Sequence, residues 1–128
     1  MKPEAQDYLK KARRSLENAQ KIIRADIPDV AAREAYLAAF HAAEAFIVER
    51  SGRAAKTHRG VRSQFSRLAK DEGHFDRELL AFLGEGYDLK SAADYGVGAG
   101  ADDISEEDAA RAIAAASRFI ERVAAALS

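Results

Sequence analysis

Four short stretches of this 128-residue chain gather side chains whose types and spacing could do chemistry. In DLKSAADYGVGAG, Asp88 to Gly100, Lys90 and Asp94 stand four apart and Tyr95 follows. On a helix that spacing puts lysine and aspartate on one face as an ordinary surface pair, and nothing in the spacing alone lifts it above structure. In KTHRGVR, Lys56, His58, Arg59 and Arg62 crowd around Thr57, a natural N-cap. Cations at a helix N-terminus, beside its backbone N–H groups, suit a phosphate. The plainer reading has His58 bracing the turn and the arginines solvated or paired. In FHAAEA, His41 and Glu44 stand three apart on one helical face. A di-metal bundle site needs Glu-x-x-His from each of two helices and two further carboxylates. Here the order is reversed and there is one copy, so a buried histidine bonded to a carboxylate is the expectation. The glycines of GVGAG follow no predicted strand and lack a Gly-Lys-Ser/Thr ending, so they read as a loop. No metal and no cofactor is expected.

The elements that must position these groups are helices. Alanine is abundant among Glu, Lys, Arg and Leu, there are 2 prolines, and no segment alternates as a strand would. A first helix is predicted from about Pro3 to Ala25, with its stripe at Ala5, Leu9, Ala12, Leu16, Ala19 and Ile23. Asp26 can cap a second helix from about Pro28 to Ser51, ended by Gly52. Its core stripe is Tyr36, Phe40, Ala43 and Ile47, flanked by Leu37, His41, Glu44 and Val48. A short third helix carries Val61, Phe65 and Leu68. The turn DEGHFD leads to a fourth with Leu79, Leu80, Phe82, Leu83 and Leu89, interrupted by Gly84 and Gly86. Ser105 caps the last helix, whose seam is Ala109, Ile113, Ala116, Ile120, Val123 and Leu127. The architecture expected is all-α: one domain over residues 1–128, an up-down four-helix bundle with an additional short helix. Phe46 and Phe119 fall toward the flanks of their seams, where they could cover a partner surface.

Composition narrows the class. Apolar residues make up 48% and charged residues 32%, which suits a folded domain. No cysteine is present, which excludes disulfides, thiolate metal sites and cysteine nucleophiles. The opening MKPEAQDYLKKARRSLENA has no apolar signal core, and no run approaches the ~20 apolar residues of a membrane span. A soluble, cytoplasmic protein without membrane contact is expected. The net charge is −1, yet Arg50 to Lys70 holds seven Lys or Arg and no acid, leaving −8 on the remainder. Such a block points to an anionic ligand or an acidic partner surface.

Taken together, AYLAAFHAAEAFIVERSG, KTHRGVRSQF, DLKSAADYG and SEEDAARAIAAASRFIERV resemble the HEPN domain, in particular a stand-alone prokaryotic subfamily. The resemblance covers nearly the whole chain. It implies a four- or five-helix bundle, commonly a homodimer, often paired with a minimal nucleotidyltransferase as toxin and antitoxin. It also implies the family's metal-independent ribonuclease signature, an arginine and a histidine separated by four to six residues, brought together from two protomers. The positions that match are Lys90 and Tyr95. Lysine keeps the charge and loses the bidentate fork. Tyrosine, with an ordinary pKa of ~10 against ~6.5 for histidine, is a poor proton shuttle near neutrality. The resemblance therefore implies a HEPN-type dimer that binds nucleotide or RNA phosphates with altered catalytic chemistry. The rival expectation is a non-catalytic interaction module. A third keeps weak nuclease activity, with His58 or His41 replacing the lost histidine.

Overall fold

The computed structural model describes residues 1–84 and 104–128. Among them the secondary structure is helical: α1 (Pro3–Arg24), α2 (Pro28–Ser51), α3 (His58–Ala69), α4 (77–84) and α5 (Glu106–Leu127). The expected continuation of the fourth helix through Gly86 and Leu89, and the GVGAG loop, lie outside the described residues.

Local chemistry sets the boundaries. Pro28 occupies the first turn of α2, and Gly52 closes it at φ 79°, a left-handed conformation that glycine adopts without cost. Thr57 Oγ1 accepts the Gly60 N–H at 2.9 Å, and Ser105 and Asp108 cap α5 reciprocally. Asp76 Oδ1 accepts the Leu79 N–H at 2.8 Å to open α4. Asp26 departs from expectation. The residue before α2 is Ile27, which makes no side-chain cap. Asp26 instead lies left-handed, φ 69°, just past α1, where its N–H reaches Ile23 O and the Ile27 N–H reaches Ile22 O. Those two bonds form a Schellman closure with aspartate in the usual glycine position.

Chain directions follow from the contacts at the helix ends. The Lys2 N–H donates to Glu49 Oε1 at 2.7 Å, so α1 runs antiparallel to α2. Ile104 and Ala109 pack with Ala31 and Ala32, while Arg50 reaches Ala126 O, so α5 runs parallel to α2. The loop after Gly52 doubles back along α2, and α3 then descends beside it. Glu78 on α4 lies 3.7 Å from Arg118, while Phe82 shares a groove with Arg111 and Ala112, so α4 runs antiparallel to α5. This is the up-down bundle with one short extra helix.

The core sits around α2. From Ala42 to Val48, seven consecutive residues are buried. The expected single stripe with one neighbour was too narrow, because α1, α3 and α5 all pack on this helix. Eight of its buried residues are alanine, whose small side chains let those neighbours approach. Phe46 and Phe119 are likewise corrected: both are fully buried. The Phe65 ring lies 5.2 Å from Phe46, 4.9 Å from Phe75 and 5.1 Å from Phe119, an aromatic cluster that fills the space the alanines leave. These rings cover no partner.

Arg50, counted above in the basic block, serves the fold. Its guanidinium grips Glu72 through two bonds of 2.8 Å, donates to Ala126 O at 3.1 Å and lies 5.0 Å above the Phe46 ring. The hydrogen bonding of Arg50 holds the Glu72 carboxyl below its ordinary pKa against a smaller opposing effect of burial. A depressed folded pKa adds stability that is complete above the unfolded carboxylate value and is lost as pH falls through the folded one. Glu72→Gln should therefore lower urea-measured stability by about 1–2 kcal/mol at neutral pH, allowing for partial solvent screening. The gap to wild type should close as the medium is acidified; a gap that persists into acid would remove the ion pair as its cause.

Candidate functional site

The N-terminal turn of α3 is where chemistry-bearing residues meet. Thr57 is extended (φ −132°, ψ 158°), which turns its hydroxyl onto the third amide of the helix. A Cβ at Gly60 would stand 3.0 Å from that hydroxyl, so glycine lets the cap close tightly. Lys56 precedes the cap and Arg59 follows it, both exposed. The cap thus places two exposed cations beside the positive end of the helix.

His58 faces inward. Its ring centroid lies 4.4 Å from that of Phe40, and Nδ1 lies 3.0 Å from the Tyr36 hydroxyl. Tyr36 is fully buried, so its hydroxyl requires a partner, and His58 supplies one from another helix. The bond admits two forms: the phenol donates to Nδ1, or a protonated Nδ1 donates to the phenol oxygen. Either way the imidazole braces α3 against α2. Arg33 stands one turn before Tyr36, and Arg62 one turn after His58. Both are half-buried, and the Nε of each is shielded from solvent. Arg33 Nη1 also lies 3.6 Å from Glu34 Oε1. Of the residues expected here, Lys56 and Arg59 thus share the surface, whereas His58 and Arg62 turn toward the α2–α3 junction.

Sequence reasoning gave no part in this site to Arg33 or Tyr36. The spacing of Arg33, Tyr36 and Phe40 by three and four marks one helical face. Nothing local, however, announces a histidine 22 positions further on as the partner of Tyr36.

His41 and Glu44 form the bonded pair, with Nδ1 2.8 Å from Oε1. Glu44 is buried, and Tyr8 of α1 lies within reach of its charge. Burial first, and then the negative charges of Glu44 and Glu4, raise the Tyr8 phenol above its ordinary pKa. No group of three or more metal-ligating side chains occurs among the described residues. Lys90, Asp94 and Tyr95 lie outside the described residues.

Brace and catalyst differ in what a mutation does. Tyr36→Phe should cost about 1 kcal/mol through loss of the hydroxyl bond. His58→Ala should cost about 2–3 kcal/mol, because it also strands a buried hydroxyl and leaves a void beside Phe40. Denaturant titrations of both variants check this. A His58→Ala protein as stable as wild type would show that the ring does not brace the fold.

No helix among the described residues is long and apolar enough to cross a membrane. The sequence matches no curated protein. A family model described as the HEPN domain matches residues 5–126. A match over nearly the full length, on an all-helical bundle with α2 at its centre, makes this chain a member of the HEPN family.

Proposed function

We propose that the protein is a cytoplasmic, prokaryotic HEPN homodimer that binds nucleotide or RNA phosphates. Lys56 and Arg59 make the outer contacts, and Lys90, Asp94 and Tyr95 occupy the family's catalytic position. In this reading it is the toxin-like half of a pair with a minimal nucleotidyltransferase. The observation that carries the reading is the capped start of α3, where Thr57 holds exposed Lys56 and Arg59 beside a helix N-terminus in a HEPN bundle.

One observation favours the rival, a non-catalytic interaction module. Both histidines named as substitutes for the lost proton carrier are half-buried and bonded into the helix packing, His58 to Tyr36 and His41 to Glu44. With tyrosine at position 95, the chain holds no histidine at the signature position to carry a proton near neutrality.

Two measurements test the proposal. Binding of a short RNA should weaken steeply with salt, and Arg59→Ala together with Lys56→Ala should lower the salt slope by about 1–2. Binding indifferent to both would leave the segment as a protein-docking face. Wild-type protein should cleave RNA weakly or not at all. Lys90→Arg with Tyr95→His restores a group for phosphate charge and a group for proton transfer. Cleavage should rise only when both changes are present, and chelators should not affect it. Strong cleavage by wild type that survives loss of Tyr95 would move the chemistry elsewhere.

A further inference from the structure

We infer that the outer face of α1 is a second nucleic-acid contact surface, a track for a phosphodiester backbone formed by Lys10, Arg14, Lys21 and Arg24. This deepens the nucleic-acid reading above and rests on it, but it concerns a different helix. The core face of α1 follows Ala5, Leu9, Ala12 and Ala19. At 3.6 residues per turn, Lys10, Arg14 and Lys21 fall near the centre of the opposite side and Arg24 on its flank, with Asp7 and Glu17 on the same side. All four are exposed, and among the described residues none of them makes an ion pair. Arg13 differs, since its guanidinium holds Glu121 of α5 at 3.1 Å. From Lys10 to Arg24 the chain carries six cations and one acid, Glu17.

The helix dipole accounts for only part of the pattern. Lys21 and Arg24 sit in the last turn, where they complement the helix dipole, but Lys10 and Arg14 are mid-helix, where it offers nothing. Lys10–Arg14, Lys10–Arg13, Lys11–Arg14 and Lys21–Arg24 are like-charged neighbours at three or four positions, each costing about 0.2–0.5 kcal/mol. Asp7, three and four before Lys10 and Lys11, and Glu17, three or four from Arg13, Arg14 and Lys21, offset those repulsions.

The chemistry of the face selects the partner. Every exposed residue between Lys10 and Arg24 is polar: Lys10, Lys11, Arg13, Arg14, Glu17, Asn18, Gln20, Lys21 and Arg24. A protein partner needs an apolar patch to desolvate at the centre of its interface, and none is present here. A phosphate backbone needs only a row of cations. The row spans about 21 Å, fourteen residues at roughly 1.5 Å each. That length matches about six phosphates of one strand of a duplex, at roughly 3.4 Å of rise along its axis.

The test uses the full chain and a single-stranded RNA of about 20 nucleotides, long enough to cover the track. Glutamine keeps a similar helix propensity at exposed positions, so Lys10→Gln, Arg14→Gln, Lys21→Gln and Arg24→Gln combined should leave the thermal midpoint unchanged. The combined variant should bind about tenfold or more weakly at low salt, with a salt slope smaller by about 2–3. Glu17→Gln, which removes the one acid in the row, should bind more tightly than wild type. A gain cannot arise from misfolding. Wild-type binding that is lost with Lys56→Ala and Arg59→Ala but unchanged in the α1 variant would overturn the α1 inference alone. Absence of RNA binding by wild type would overturn both readings. If the α1 charges prove necessary only for binding vesicles of anionic lipid, the inference is likewise overturned.

Discussion

A helix with seven consecutive buried residues has no solvent-facing side over two turns, and the rest of this fold answers that constraint. Ala42 to Val48 of α2 can be buried only if neighbours arrive from every direction. Alanine makes this feasible by letting backbones come close. It also leaves little apolar volume on α2 itself, so volume must be imported. Phe65 from α3 and Phe75 from the α3–α4 turn meet Phe46, and Phe119 from α5 packs on both, to provide it. The polar groups trapped in the arrangement are matched in pairs: Tyr36 with His58, and His41 with Glu44. Burial without such pairing would cost several kcal/mol for each group.

That same constraint shapes the candidate site. Because α2 must be covered, the chain doubles back after Gly52 and starts α3 against the middle of α2. The Tyr36 hydroxyl then holds the start of α3 in place through His58. What remains outward at this start is Lys56 and Arg59. The division between inward and outward residues in KTHRGVR is therefore a packing result that leaves a charged edge. The function proposed for that edge uses what packing does not need.

Much of this was legible in the amino-acid order. Caps and breakers act within a few residues, so Pro28, Gly52, Thr57 and Ser105 marked the helix ends correctly. The α1 and α5 stripes were legible because each of those helices keeps a solvated face, which makes the period visible. The α2 pattern was not, since an alanine-rich helix buried all round has almost no contrast between faces. Phe46 was placed on a flank for the same reason, and Phe119 because the buried face of α5 is wider than the single seam read there. Asp26 was read as a cap because aspartate commonly caps; its left-handed turn follows from the Schellman closure of α1, in which aspartate replaces the usual glycine. The pairings of Tyr36 with His58 and Arg50 with Glu72 each span 22 positions, and no local rule reaches that far. His41 and Glu44, three apart on one helix, needed only the helical period.

Arg50 has a dynamic consequence. Helix ends ordinarily fray independently of one another, each opening at little free-energy cost. Here a single guanidinium joins the last turn of α2, Glu72 in the α3–α4 turn, and the carbonyl of Ala126 in the last turn of α5. To release the last turn of α2, which carries Arg50, is to break the bonds that restrain the other two. The three segments should therefore open as one cooperative unit, and the amide protons along the C-terminal turn of α5 should exchange in step with those flanking Glu72. At that end of the bundle, local motion is gated by one side chain.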